Sequence, residues 1–116
     1  MNNYSTLVAQ HVMGWRSDHG YYDWYTEEGE ATGYSIYEWE PEFDIAQAFE
    51  VVDKLEKDGF PFRLFRTGTG WLAEFEERGT AGWIDRHWHE CNLNGDTGRC
   101  RAICKAALRI AGVEVD

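Results

Sequence analysis

The stretch from Asp44 to Pro61 constrains this chain more than any other, because it carries a complete set of helix instructions. Asp44 offers a side-chain acceptor at the N-cap, Gln47 stands three residues on in the capping-box position, and Phe43 and Ala48 occupy staple positions. Ile45, Ala48, Phe49, Val52 and Leu55 recur at helical spacing and make one apolar stripe. Gly59 suits a left-handed residue just past the helix, Phe60 can fold back on Leu55, and Pro61 forbids continuation. The sequence therefore predicts a helix over 44–58, with Phe49 buried at the centre of its stripe. Such a stripe needs an apolar partner face, which the rest of the chain must supply.

Two other segments read as helices. Tyr4, Leu7, Val8 and Val12 fall at helical spacing over about 4–13, with Asn3 or Ser5 as cap and Gly14 as stop. A last helix is expected from about Arg99 to Ala111, stopped by Gly112, with Val113 covering Leu108. Between these lie runs of β-formers. Tyr21–Tyr25 and Tyr34–Trp39 flank a glycine-containing turn, and Pro41 ends the second. Phe62–Arg66 and Trp71–Glu77 flank Gly68-Thr69-Gly70, read as a tight turn that needs glycine dihedrals. Trp83–Cys91 is either a further strand or an ordered loop, and 92–98 is polar and turn-rich. Connections this short imply antiparallel pairing. The expected fold class is α+β: one domain over 1–116, with an antiparallel sheet of about four strands flanked by three helices in a helix–sheet–helix sandwich.

Length and composition agree with a single core. The 116 residues are 43% hydrophobic and 16% aromatic, far from the composition of a disordered chain. No apolar run is long enough to span a bilayer. The opening from Met1 to Trp15 is amphipathic and is not built like a secretory signal. Cys91, Cys100 and Cys104 are read as reduced thiols, and the expected location is the cytoplasm. The net charge of −10 sits in the first half: residues 1–60 hold thirteen Asp and Glu against Arg16, Lys54 and Lys57. An acidic face disfavours general nucleic-acid binding and can attract a basic protein surface, though it also serves solubility alone.

Three pieces resemble a known family. Leu7–Trp15 looks like the opening helix of the phage ABA sandwich domain family, Asp44–Val52 with Gly59-Phe60 like its middle helix, and Ala102–Leu108 like its last. The resemblance follows chain order and implies a helix–sheet–helix layering in a small phage or prophage protein. It implies no chemistry. The chain departs from the family pattern at Trp83–Asn94, which is longer and richer in His and Trp, and at Cys100-Arg101, which replaces a more apolar helix entry.

The densest cluster of chemically capable residues is Trp83–Cys91. As a strand it would place Trp83, Asp85, His87, His89 and Cys91 on one face. With Cys100 and Cys104 one helical turn apart, these are zinc-type donors, but the spacing matches no standard zinc motif, and surface histidines with buried thiols explain them equally. Cys91 beside His87 and His89 is the one nucleophile–base grouping, without an elbow motif around it. No catalytic residue, metal or cofactor is therefore assigned, and an enzyme is not expected. Trp83, Arg86, His87, Trp88 and His89 are the expected binding residues, in an irregular segment between Gly82 and Gly95. Arg101, Lys105 and Arg109 recur every four residues and make one stripe basic. It is either a solvated face or, paired with aromatic rings, a seat for a small anionic aromatic molecule such as a nucleotide.

Two functions remain open. The first is a non-enzymatic phage or prophage accessory protein that binds a host protein, for instance to blunt a defence system. The second is a small-molecule binder that sequesters a nucleotide-like signal through Trp and Arg. A zinc- or thiol-dependent enzyme using Cys91, His87 and His89 is a more distant third. An aromatic pocket floored by Arg would favour the second. The expected partner is thus a host protein or a small anionic ligand, with no membrane, no general nucleic-acid binding, and an oligomer open.

Overall fold

A computed structural model describes residues 3–17 and 22–115. The elements run α1 (Tyr4–His11), β1 (Asp23–Tyr25), β2 (Ala31–Ser35), α2 (Ile45–Lys57), β3 (Phe62–Arg66), β4 (Trp71–Arg78), β5 (Ile84–Cys91) and α3 (Gly95–Ile110). The α+β class stands: the described residues form three helices, and their strands pair antiparallel. The strands among the described residues form two sheets: a β1–β2 hairpin and a three-stranded sheet in the order β3-β4-β5.

α2 follows its local code. The Asp44 carboxylate accepts from the Gln47 N–H at 3.1 Å. At the far end the Phe60 N–H donates to the Leu55 carbonyl at 3.0 Å and the Gly59 N–H to the Glu56 carbonyl at 3.1 Å. This is the Schellman arrangement, with Gly59 at φ +98°. α3 ends identically: Val113 donates to Leu108 at 2.9 Å and Gly112 to Arg109 at 3.1 Å, with Gly112 at φ +78°. Asn3 caps α1, its side chain accepting from Thr6 N–H at 3.1 Å.

Gln47 departs from its expected role. Its side chain does not close a capping box; its amide accepts from Glu40 N–H at 2.6 Å and donates to the Glu38 carbonyl at 2.9 Å. It thereby ties the 36–43 segment to α2. Phe49 is 40% exposed, against the expectation of a central core residue. Val51, absent from the expected stripe, is fully buried with Ala48, Val52 and Leu55. The buried face of α2 is rotated toward Val51 because α2 packs against α3, leaving Phe49 to meet Phe62 edge-on at 6.2 Å.

Other boundaries also shift. β2 covers Ala31–Ser35, and 36–39 turns instead of extending, since Trp39 N–H returns to the Ser35 carbonyl at 3.1 Å and the Ser35 hydroxyl accepts from Glu38 N–H at 3.1 Å. Tyr21, the expected start of the first strand, lies outside the described residues. α3 begins at Gly95, a turn earlier than expected; Asp96 in its first turn meets the positive end of the helix and pairs with Arg99. The β3–β4 turn does not use positive φ at Gly68 or Gly70. Gly70 is required for another reason: a Cβ there would lie 1.9 Å from the Cys91 carbonyl oxygen.

β5 is a regular strand paired with β4 from Ile84 to Cys91, not an irregular loop. Alternation gives the three-stranded sheet two unlike faces. Phe62, Leu64, Trp71, Ala73, Phe75, His87, His89 and Cys91 face the helices, and α3 packs across β4 and β5. The core is centred on Phe75, Ile103 and Leu108, all fully buried. Arg63, Phe65, Leu72, Glu74, Glu76, Ile84, Arg86 and Trp88 occupy the opposite face, where Phe65, Ile84 and Trp88 remain 44%, 51% and 52% exposed.

Candidate functional site

The five residues expected to bind do not converge. Arg86 and Trp88 project from the outer face of β5, and His87 and His89 from the helix-facing side. Trp83 precedes the strand, and its ring lies against Gly79, where an added Cβ would sit 1.9 Å from the ring. With Gly79 N–H donating to the Trp83 carbonyl at 2.8 Å, this contact fixes the β4–β5 turn. Arg86 pairs with Glu74 at 3.7 Å and His87 Nε2 meets Glu77 Oε1 at 2.8 Å. Arg86, His87 and Trp88 do border one cleft of about 760 Å³, closed on its other side by Arg109 and residues 112–115. His89 Nδ1 faces Arg109 at 3.4 Å. Burial, then Lys105 and Arg109, lower the His89 pKa.

Among the described residues no thiol joins these histidines in a cluster of possible ligands. Cys100 and Cys104 are fully buried in the core, and no hydrogen bond joins Cys91 to His87 or His89 among the described residues. Burial, then Asp96 and Asp44, pushes the Cys100 thiol up to about 11. Burial, then Glu42 and Cys100, holds Cys104 well above its usual value. Both are therefore neutral core groups at pH 7 and poor metal ligands or nucleophiles.

A second groove lies against the N-terminal half of α3. The N-terminus of α1, the 36–43 segment and α3 enclose a groove of about 630 Å³. Arg101 and Lys105, one helical turn apart on α3, line it together with Tyr4, Tyr37, Trp39 and Phe43. The Arg101 guanidinium lies 5.8 Å from the Phe43 ring centroid, and Lys105 Nζ 5.1 Å from that of Tyr4. Phe43 is 59% exposed, whereas Trp39 is buried, wedged against Trp15 at 4.6 Å and Tyr34 at 5.0 Å. The Trp39 indole N–H and Arg101 Nε are buried without an acceptor among the described residues. Leaving such donors unpaired is unfavourable by about 1–3 kcal/mol each, so an acceptor reaching them is favoured.

The groove also holds carboxylates. Glu42 is buried and accepts from Ser5 N–H at 2.9 Å and from the Ser5 hydroxyl at 3.2 Å, which anchors the 36–43 segment to α1. Glu40 stands exposed at the rim. The lining is thus amphoteric: cations on α3, carboxylates across from them, and aromatic rings between.

Part of this site was legible. The four-residue recurrence of Arg101, Lys105 and Arg109 marks the basic stripe, and pairing it with rings is the arrangement observed at Phe43 and Tyr4. Arg109 belongs to the other cleft. Tyr4, Trp39 and Phe43 carry no local mark of a site, since nothing in the sequence brings positions 4, 39 and 101 together.

The fold is a small α+β domain in which helices cover one face of an antiparallel sheet. The family model for the phage ABA sandwich domain matches residues 6–108, and the chain belongs to that family. It is accordingly a phage-associated domain. No curated protein and no solved structure matches it. Among the described residues, no helix is long and apolar enough to cross a membrane.

Proposed function

We propose that this phage accessory protein acts by binding rather than by catalysis, and that the groove between α1, the 36–43 segment and α3 takes a small anionic aromatic molecule of the nucleotide type. The observation that carries this reading is the placement of Arg101 and Lys105, each against an aromatic ring, in one groove with Trp39. The cations suit an acidic group and the rings suit a planar one. Glu40 and Glu42 suit hydrogen-bond donors such as the amino group of a base.

Isothermal titration with adenosine monophosphate, adenosine and inorganic phosphate tests the reading, with Trp fluorescence as a second readout. The monophosphate should bind saturably and more tightly than either fragment. Arg101→Gln should weaken it at least about tenfold, the loss expected for one charge-assisted contact, while circular dichroism stays unchanged. Equal affinity in the Arg101→Gln variant, or no saturable binding of the monophosphate, would refute it.

A second reading rests on a different observation, the open outer face of the three-stranded sheet with Phe65, Ile84 and Trp88 exposed. In that reading the chain binds a host protein, such as a component of a defence system, through this face. Trp88→Ala would then abolish capture of the host protein and leave nucleotide titrations untouched.

A further inference from the structure

Glu77 and Asp85 are direct partners across the β4–β5 pair, and His87 stands two residues along β5 on the same face. One ligand atom from each of the three lies within 4.8 Å of the others. Like charges placed directly opposite on a sheet repel unless something compensates them. On the outer face of the same strands the compensation is arginine: Glu76 pairs with Arg78 at 3.2 Å and Glu74 with Arg86 at 3.7 Å. Glu77 and Asp85 receive no arginine or lysine ion pair among the described residues; one Asp85 oxygen accepts from the Arg86 backbone N–H at 2.9 Å, and His87 lies 2.8 Å from Glu77.

We infer that Glu77, Asp85 and His87 form a binding site for a divalent transition-metal ion, with zinc the best match. One imidazole and two carboxylates are a borderline donor set that suits zinc better than calcium or magnesium, which prefer all-oxygen shells. Tetrahedral zinc with bonds of about 2.1 Å needs donor atoms about 3.4 Å apart, which small side-chain rotations reach from the observed cluster. The platform is rigid: the pair sits beside the turn that Trp83 and Gly79 lock. Asp85 is exposed and Glu77 and His87 are partly so, which leaves room for a water as fourth ligand. The site is separate from the groove, shares no residue with it, and does not use the cysteines.

Isothermal titration of the full chain with zinc chloride in a non-chelating buffer at neutral pH tests this directly. Zinc should bind one-to-one and raise the melting temperature. Asp85→Asn and His87→Gln should each weaken binding at least about tenfold, while Cys91→Ser leaves it unchanged. Cobalt substitution should give tetrahedral visible bands without a thiolate charge-transfer band. The inference falls if wild type shows no stoichiometric zinc binding, if binding survives His87→Gln, or if Cys91→Ser removes it. Because the wild-type titration needs no variant to fold, a misfolded mutant does not shield the inference.

Discussion

Tyr34 shows how one side chain sets a pH limit. Its hydroxyl donates to Glu50 on α2, and this bond, with burial and the neighbouring carboxylates, raises the phenol from 10.0 to about 12. The folded state therefore holds the proton more tightly than the unfolded chain does. The stabilisation is fully present below pH 10 and is lost as pH rises through about 12. Tyr34→Phe should be less stable than wild type at neutral pH, and the gap should narrow steadily above pH 10. Urea denaturation of both proteins across that range measures the gap. A constant gap would mean that the phenol gains nothing from Glu50. The same tie joins β2 to α2 and so steadies the aromatic packing of Trp15, Tyr34 and Trp39 behind the groove.

At the scale of elements, the β3–β4 turn makes the sharpest test. Gly68 and Gly70 are interchangeable in the sequence, but a Cβ at Gly68 meets nothing within 4 Å, whereas one at Gly70 runs into the Cys91 carbonyl at 1.9 Å. Gly68→Ala should change stability by less than about 0.5 kcal/mol. Gly70→Ala forces backbone apart and should cost about 1–3 kcal/mol or more. Equal effects in thermal denaturation would place the constraint in the turn rather than in the approach of β5. The contrast explains what the sequence could disclose. The caps Asn3 and Asp44, the Schellman ends at Gly59 and Gly112, and the hairpin 62–77 are local codes and were legible. The true role of Gly70 depends on Cys91, in the next strand but one. The rotation of α2 that exposes Phe49 depends on α3. The groove assembles residues from both ends of the chain, so only its basic stripe, which lies on one helix, was visible beforehand.

Across the whole molecule, the groove draws on both halves of an uneven charge distribution. The acidic first half contributes Glu40 and Glu42 to the groove, while the balanced second half contributes Arg101 and Lys105. The chain as a whole carries −10, so a free anion is repelled at long range and held only by the local cations. Affinity for an anionic ligand should therefore rise modestly with added salt at low ionic strength, as screening removes the global repulsion first, and fall again once the contact pairs are screened. A monotonic decline from the lowest salt would show that the local cations dominate throughout.

The pairing of strands has a temporal consequence. β3, β4 and β5 are consecutive in the chain and joined by short turns, so their sheet can assemble by local closure. The contact of α1 with α3 spans almost the full sequence. Long loops close late, and contacts made after the rate-limiting barrier change unfolding rates rather than folding rates. Val8 is fully buried on α1. Val8→Ala should accelerate unfolding in stopped-flow experiments while leaving the refolding rate nearly unchanged, whereas Phe75→Leu in the sheet should slow refolding. In that case the groove, which needs α1 seated, would form late in folding and open early in unfolding. A ligand bound there would act as a latch on the N-terminus, lengthening the lifetime of the native state without hastening its formation.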